Sequence, residues 1–103
     1  MPAFRSAYLI HGDDHGRITE RRTRLRAMAE RETGASGVEL LEGDACTPDA
    51  VAAALSTMTF ALGRRFVIAD GVERWKDADV PVLAEAMKSM DAESLTVAFF
   101  ARE

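Results

Sequence analysis

The chain has 103 residues, the size of one domain, and its 48% hydrophobic and 29% charged content is ordinary for a folded globular protein. Thirteen Lys and Arg residues against seventeen Asp and Glu residues give a formal net charge of −4, which argues against nucleic-acid binding through bulk charge but not against a local basic patch. The single cysteine, Cys46, and an N-terminal apolar run of only four residues predict a cytoplasmic protein without a signal peptide or membrane span.

Four short apolar runs alternate with three helical segments. The predicted strands cover residues 7–11, 38–41, 66–69 and 95–100. The predicted helices cover residues 17–33, 47 to about 60, and 79–90. Helix signals support these bounds: Gly34 follows the first helix, Thr47 and Pro48 open the second, and Asp79 opens the third. This order predicts an α/β fold with a parallel sheet and helices on both faces, in which the continuous apolar run of the first strand is covered on both sides.

Function in such sheets usually lies at the carboxyl ends of the strands, here residues 11–16, 42–46, 70–74 and 101–103. The first of these, GDDHG at residues 12–16, stands where a nucleotide-binding protein carries its phosphate loop. Arg17 and Ile18 occupy the positions of the required lysine and hydroxyl, and Asp13 and Asp14 would repel a phosphate. The sequence therefore predicts a structural turn whose acids cap the next helix, and no cofactor.

Asp13 and Asp14 also suggest an alternative function when they are taken together with Asp70, which follows the third strand. The three acids resemble the pocket of phospho-acceptor receiver domains, in which carboxylates hold Mg²⁺ and the aspartate after the third strand takes the phosphoryl group. The chain departs from the receiver pattern after the fourth strand, where a Ser or Thr is replaced by residues 100–102, Phe-Ala-Arg.

Other polar features have simpler interpretations. His11 and His15 straddle a strand end and a turn, so a solvated loop is favoured over a metal site. Cys46 precedes a helix but has no histidine partner evident in the sequence, so it is predicted to be inert. The first helix carries an arginine run that is typical of a solvated face and leaves contact with DNA phosphates or an acidic partner open. These arginines are Arg17, Arg21, Arg22, Arg24, Arg26 and Arg31, partly offset by Glu20, Glu30 and Glu32.

Residues 55–68, LSTMTFALGRRFVI, place Met58, Phe60 and Leu62 around the end of the second helix. Three large apolar side chains within five residues indicate either a hydrophobic clasp that seals the helix against the sheet or a protruding anchor for a partner's pocket. The sequence pattern leaves both alternatives open.

Four stretches, taken in chain order, carry a family resemblance: YLIHGDD, VELLEGDACTPDAVAAAL, STMTFALGRRFVIADGVERW and LTVAFFA. Together they resemble the N-terminal domain of the delta subunit of bacterial DNA polymerase III, the clamp-loader subunit that opens the sliding clamp. The resemblance implies an AAA+-like fold without a working phosphate loop, a strand order of 1-4-3-2, and a fifth strand beside the first. It also implies that residues 1–103 form a single domain of a longer protein, which agrees with an apolar run that stops three residues before the terminus.

The same resemblance implies a role in DNA replication by binding, with no enzymatic activity in this domain, within a polymerase holoenzyme that is a nucleotidyltransferase. The implied partners are the sliding clamp, the other clamp-loader subunits and, indirectly through the complex, primer-template DNA. The family's clamp-binding element falls on Met58, Thr59, Phe60 and Leu62. Thr59 replaces one of two adjacent large apolar residues usual in the family, so Phe60, helped by Met58 or Leu62, is expected to fill the clamp's pocket.

Overall fold

The computed structural model describes residues 7–34, 37–56, 64–89 and 95–102. Its strands are β1 (Ala7–Gly12), β2 (Val38–Glu42), β3 (Arg65–Asp70) and β4 (Leu95–Arg102). Its helices are α1 (His15–Thr33), α2 (Pro48–Ser56) and α3 (Val80–Ser89), with short 3-10 turns at Gly43–Ala45, Val72–Arg74 and Asp77–Asp79. All strand pairs are parallel, and the order across the sheet is β1-β4-β3-β2. The predicted α/β class is confirmed, and the strand order is the one that the resemblance implies.

Alternating side chains of the central strands feed two apolar clusters, one on each face of the sheet, as the period of two in a strand requires. On one face, Ile18 of α1 packs with Ile68, Ala98 and Phe100. The opposite cluster is larger because it receives both α2 and α3. Its buried members are Cys46, Val51, Ala54, Leu55, Val67, Ala69, Leu83, Leu95 and Val97. The prediction of helices on both faces is confirmed, and the sheet lies between the two clusters.

Strand β1 differs from the prediction of a strand covered on both faces. Among the described strands it pairs only with β4, so it lies at an edge of the sheet. Tyr8 and Ile10 pack against the α1 cluster, but Leu9 on the other face is 64% exposed. The prediction is wrong because, among the described residues, Ala7 is the only member of β1 that packs against the α2–α3 cluster, so that face of the strand is left open at Leu9. A continuous apolar run therefore marks a half-buried edge strand here.

Local hydrogen bonds explain where the helices begin and end. Asp14 accepts a bond from the backbone N–H of Arg17 at 3.1 Å, so α1 starts at His15, two residues before the predicted start. Thr47 caps α2 as predicted, because its hydroxyl accepts from the N–H of Ala50 at 3.1 Å. Asp79 instead accepts from the N–H of Lys76 at 2.9 Å, so it caps the preceding 3-10 turn and not α3.

Gly34 ends α1 with a φ of 82° and donates its N–H to the carbonyl of Glu30 at 2.7 Å, which confirms the predicted glycine stop. The predicted end of the second helix near residue 60 lies outside the described residues. Within the described ranges, no helix combines the length and apolar character that crossing a bilayer requires.

Candidate functional site

The carboxyl ends of β2, β3 and β4 bring charged side chains together at one edge of the sheet. Parallel register sets Glu42, the last residue of β2, beside Asp70, the last residue of β3. Arg102 ends β4, and Arg22 reaches the same place from α1. These residues line a cleft of about 300 Å³ that is completed by Gly43, Gly71, Glu73 and Arg74. The cleft lies where ligands bind in many open α/β sheets, so we treat it as the candidate site.

Asp70 is the buried centre of this cluster, with only 3% of its surface exposed. Arg22 Nη1 lies 2.7 Å from Asp70 Oδ2, and Arg102 Nη1 contacts the other oxygen, Oδ1. Each carboxylate oxygen therefore has its own guanidinium. Burying an unpaired carboxylate is strongly unfavourable, and the two arginines offset this cost for Asp70.

Both arginines hold second partners, and these tie four elements together. Arg22 Nη1 also lies 2.6 Å from Glu42 Oε2, although that carboxylate belongs to a side chain that is 54% exposed. Arg102 donates from Nη2 to Thr19 Oγ1 at 2.8 Å and from its backbone N–H to Glu73 Oε1 at 2.9 Å. Burial lowers the pKa of Arg102 below its ordinary value, and the nearby positive charge of Arg22 lowers it further. The network fastens α1 to the ends of β2, β3 and β4.

The turn after β3 shapes one wall of the cleft. Gly71 has a φ of 113°, which favours glycine, and its N–H donates to the carbonyl of Phe100 at 2.9 Å. A side chain at residue 71 would also come within 3.3 Å of Arg74 Nη2. Arg74 in turn donates to the carbonyl of Gly43 and lies 3.8 Å from Asp44 Oδ1. The loops after β2 and β3 are thereby joined across the mouth of the cleft.

The acids of the receiver-like alternative do not meet in this cleft. Asp13 and Asp14 are exposed at the start of α1, where Asp14 caps the helix. Strand β4 separates β1 from β3, whereas the receiver-type order 2-1-3-4-5 sets strands one and three side by side. His11 and His15 are exposed, and across residues 7–34, 37–56, 64–89 and 95–102 no three His, Cys, Asp or Glu residues are arranged to hold a metal ion.

Cys46 lies in the α2–α3 core and not in the cleft. Only 4% of the residue is exposed, and burial raises the pKa of its thiol to about 11, because a thiolate is poorly solvated there. Its backbone carbonyl accepts a bond from Trp75 Nε1 at 2.9 Å, and Trp75 meets Phe99 edge-on with ring centroids 6.1 Å apart. A buried thiol with a raised pKa agrees with the prediction of an unreactive cysteine.

The residues that the family resemblance assigns to clamp binding, Met58, Thr59, Phe60 and Leu62, lie outside the described residues. Their role stays a prediction. Helix α2, which leads towards them, is described as far as Ser56, and its buried residues Val51, Ala54 and Leu55 fix it to the sheet.

Sequence reasoning identified the strand ends but missed the role of Arg22, which it grouped with the solvated arginines. A signal was present: Arg22 follows Ile18 by four residues and precedes Leu25 by three, so it lies on the side of α1 that faces the sheet. Arg102 carries no comparable signal, because its contact with Asp70 depends on the pairing of β4 with β3.

Chemically, the cleft balances its own charges, since both oxygens of Asp70 are engaged by arginines of the same chain. Such an arrangement suits fixing strand ends better than activating a nucleophile or accepting a phosphoryl group. Comparisons with protein-family models, curated proteins and solved structures find no match for this chain.

Proposed function

We propose that this chain is an N-terminal domain of a clamp-loader delta subunit, which binds and helps to open the sliding clamp of a bacterial replicase without hydrolysing ATP. The observation that carries the proposal is the strand order β1-β4-β3-β2. The family resemblance implies this order, and the receiver-like alternative requires another, so the order separates the two hypotheses.

The first strand end supports a domain that does not bind nucleotide phosphates. A phosphate loop presents free backbone N–H groups and a lysine at the start of its helix. Here the Asp14 carboxylate accepts the N–H of Arg17, and Arg17 stands in place of the lysine. A carboxylate bound at the helix start occupies the positive end of the dipole that a phosphate would otherwise use.

The third strand end supports the same conclusion. In nucleotide-hydrolysing relatives of such folds, an acid after a strand helps to hold Mg²⁺. Asp70 occupies a strand end of this kind, but Arg22 and Arg102 engage both of its oxygens. In the proposed function, the domain acts through a protein contact at residues 58–62, and ATP hydrolysis by other subunits times that contact.

The test is capture of the chain by a purified bacterial sliding clamp, measured by surface plasmon resonance. Phe60→Ala should weaken capture by roughly 30-fold, the effect expected when an aromatic hot spot is removed. Leu9→Ala is the matched control, since it removes a large apolar side chain that is 64% exposed on strand β1, outside residues 58–62. Unchanged capture by Phe60→Ala, with circular dichroism identical to the wild type, would overturn the proposal, as would equal losses in both variants.

A further inference from the structure

Four of the six arginines of α1 form a stripe along one side of the helix. Arg17, Arg21, Arg24 and Arg31 are all exposed and are spaced by four, three and seven residues. At 3.6 residues per turn they fall within about 40° of one line, over a length of about 21 Å. This stripe lies about 100° around the helix axis from the buried residues Ile18 and Ala29, so it flanks the face that packs on the sheet. We call these four residues the arginine stripe.

The arginine stripe differs from the other arginines of α1 in having no charged partner among the described residues. Within the part of the chain that the structure describes, none of its four members forms an ion pair or a side-chain hydrogen bond. The other two arginines of α1 are both paired: Arg22 with Asp70, and Arg26 with Glu30 at 3.4 Å. Glu20 and Glu32 lie about 60° to either side of the stripe, so they reduce its charge without neutralising it.

Helix stability does not explain this placement. The positive end of a helix dipole disfavours cations, yet Arg17 lies in the first turn of α1, which contains no acid. Four like charges at spacings of three, four and seven residues also repel one another along the helix. A surface that carries such costs without partners among the described residues is expected to meet negative charge from another molecule.

A groove runs beside the middle of the stripe. It has a volume of about 400 Å³ and is lined by Arg21, Arg24, Tyr8, Ile10, Leu25, Met28 and Phe100. Tyr8 and Ile10 come from the edge strand β1, and Met28 is half-buried on α1. The groove is therefore lined by apolar side chains, by two aromatic rings, of which Phe100 is fully buried, and by two arginines of the stripe.

We propose that the arginine stripe and this groove bind a single-stranded nucleic acid, with phosphates on the arginines and a base against Tyr8. A guanidinium fork matches the geometry of phosphate oxygens, and every cation of α1 is an arginine. A cationic track beside an aromatic ring is the arrangement by which proteins hold single strands without reading their sequence. The proposal rests on α1, β1 and Phe100 of β4, and it is independent of the proposed clamp contact at residues 58–62.

Nucleic acid is favoured over an acidic protein because the stripe is about 21 Å long and extends beyond the groove at both ends, to Arg17 and Arg31. A phosphodiester backbone supplies evenly repeated charge over that length, whereas an acidic peptide that fills the groove would need only Arg21 and Arg24. With a net charge of −4, the chain as a whole does not attract a nucleic acid, so binding must depend on these particular arginines.

The test is fluorescence anisotropy with a labelled oligothymidylate of about 20 nucleotides, titrated with the chain from about 50 to 200 mM salt. Arg21→Gln combined with Arg24→Gln should weaken binding at least about tenfold and reduce the log–log salt slope by about 1.4, since each phosphate contact to a single strand contributes about 0.7. Arg26→Gln combined with Lys88→Gln removes the same charge elsewhere and should leave binding within about twofold. Tyr8→Leu should weaken binding at least about fivefold without changing the salt slope, because it removes stacking and no charge.

The same experiment also tests two other ligands, double-stranded DNA and an acidic polypeptide. A duplex of equal length should bind more weakly than the single strand, and polyglutamate should fail to displace the oligonucleotide. The proposal is overturned if the wild-type chain does not bind the oligonucleotide at the lowest salt, or if both double variants lose affinity equally. It is also overturned if the duplex binds as tightly as the single strand, or if polyglutamate binds better than DNA, which would assign the surface to an acidic protein.

Discussion

Arg21 and Arg22 are neighbours in sequence and opposites in structure. Arg22 turns towards the sheet, where its guanidinium lies 2.7 Å from a carboxylate oxygen of buried Asp70, and its side chain is 22% exposed. Arg21 turns outward onto the arginine stripe, where the described residues offer it no ion pair. A rotation of about 100° around the helix separates a side chain that holds the fold together from one that is available to a partner.

This contrast shows that the arginine run of α1 contributes to two distinct surfaces. On the inner surface, Arg22 provides Asp70 with a counter-ion from the same chain. The outer surface is the arginine stripe, whose charges are not paired with acids among the described residues. Substitutions should therefore divide into those that change the free energy of unfolding and those that change binding only.

The largest effect is expected from removing the centre of the inner surface. Asp70→Ala leaves Arg22 and Arg102 without their buried counter-ion and should lower the free energy of unfolding by about 3 kcal/mol in urea denaturation. Asp44→Ala is the control, because this acid is fully exposed and lies 3.8 Å from Arg74; its effect should stay within about 0.5 kcal/mol. A loss below about 1 kcal/mol for Asp70→Ala would show that the cluster does not hold the strand ends together.

The most direct test of the two surfaces compares substitutions at the adjacent residues Arg21 and Arg22. Arg22→Ala should lower the free energy of unfolding by about 2 kcal/mol, since it removes a charged hydrogen bond to a buried acceptor. Arg21→Ala should change it by less than about 0.5 kcal/mol, because no described contact is lost. Equal denaturation midpoints for the two variants would contradict the division of α1 into two surfaces.

The smallest effect is expected from Arg26, which belongs to neither surface. It pairs with Glu30 one turn along α1, and the two side chains are 50% and 39% exposed. Arg26→Gln should cost about 0.3 kcal/mol, as is typical of exposed pairs four residues apart. Thermal unfolding in about 0.1 and 1 M salt measures this, because the difference from the wild type should disappear when salt screens the pair. A difference that persists at high salt would mean that Arg26 contributes through packing.

Periodicity and helix signals predict most of the fold, because they depend on neighbours within a few residues. The strands, the stop at Gly34 and the cap at Thr47 follow from local pattern. The exposure of Leu9 does not, since it depends on the place of β1 in the strand order. The candidate site divides in the same way: the strand ends were predictable, but the bond between Arg102 and Asp70 joins residues 32 positions apart and needs the sheet register.

The burial of Cys46 has a consequence for how the protein's motions can be observed. Trp75 donates to the carbonyl of Cys46, and the pKa of the thiol is raised to about 11, so thiolate is scarce in the closed molecule at neutral pH. A thiol reagent must then wait for the α2–α3 core around Cys46 to open. Because this cysteine is the only one in the chain, its labelling rate reports the equilibrium of that single opening, free of other signals. The labelling rate of Cys46 therefore measures opening of the α2–α3 core without an engineered label.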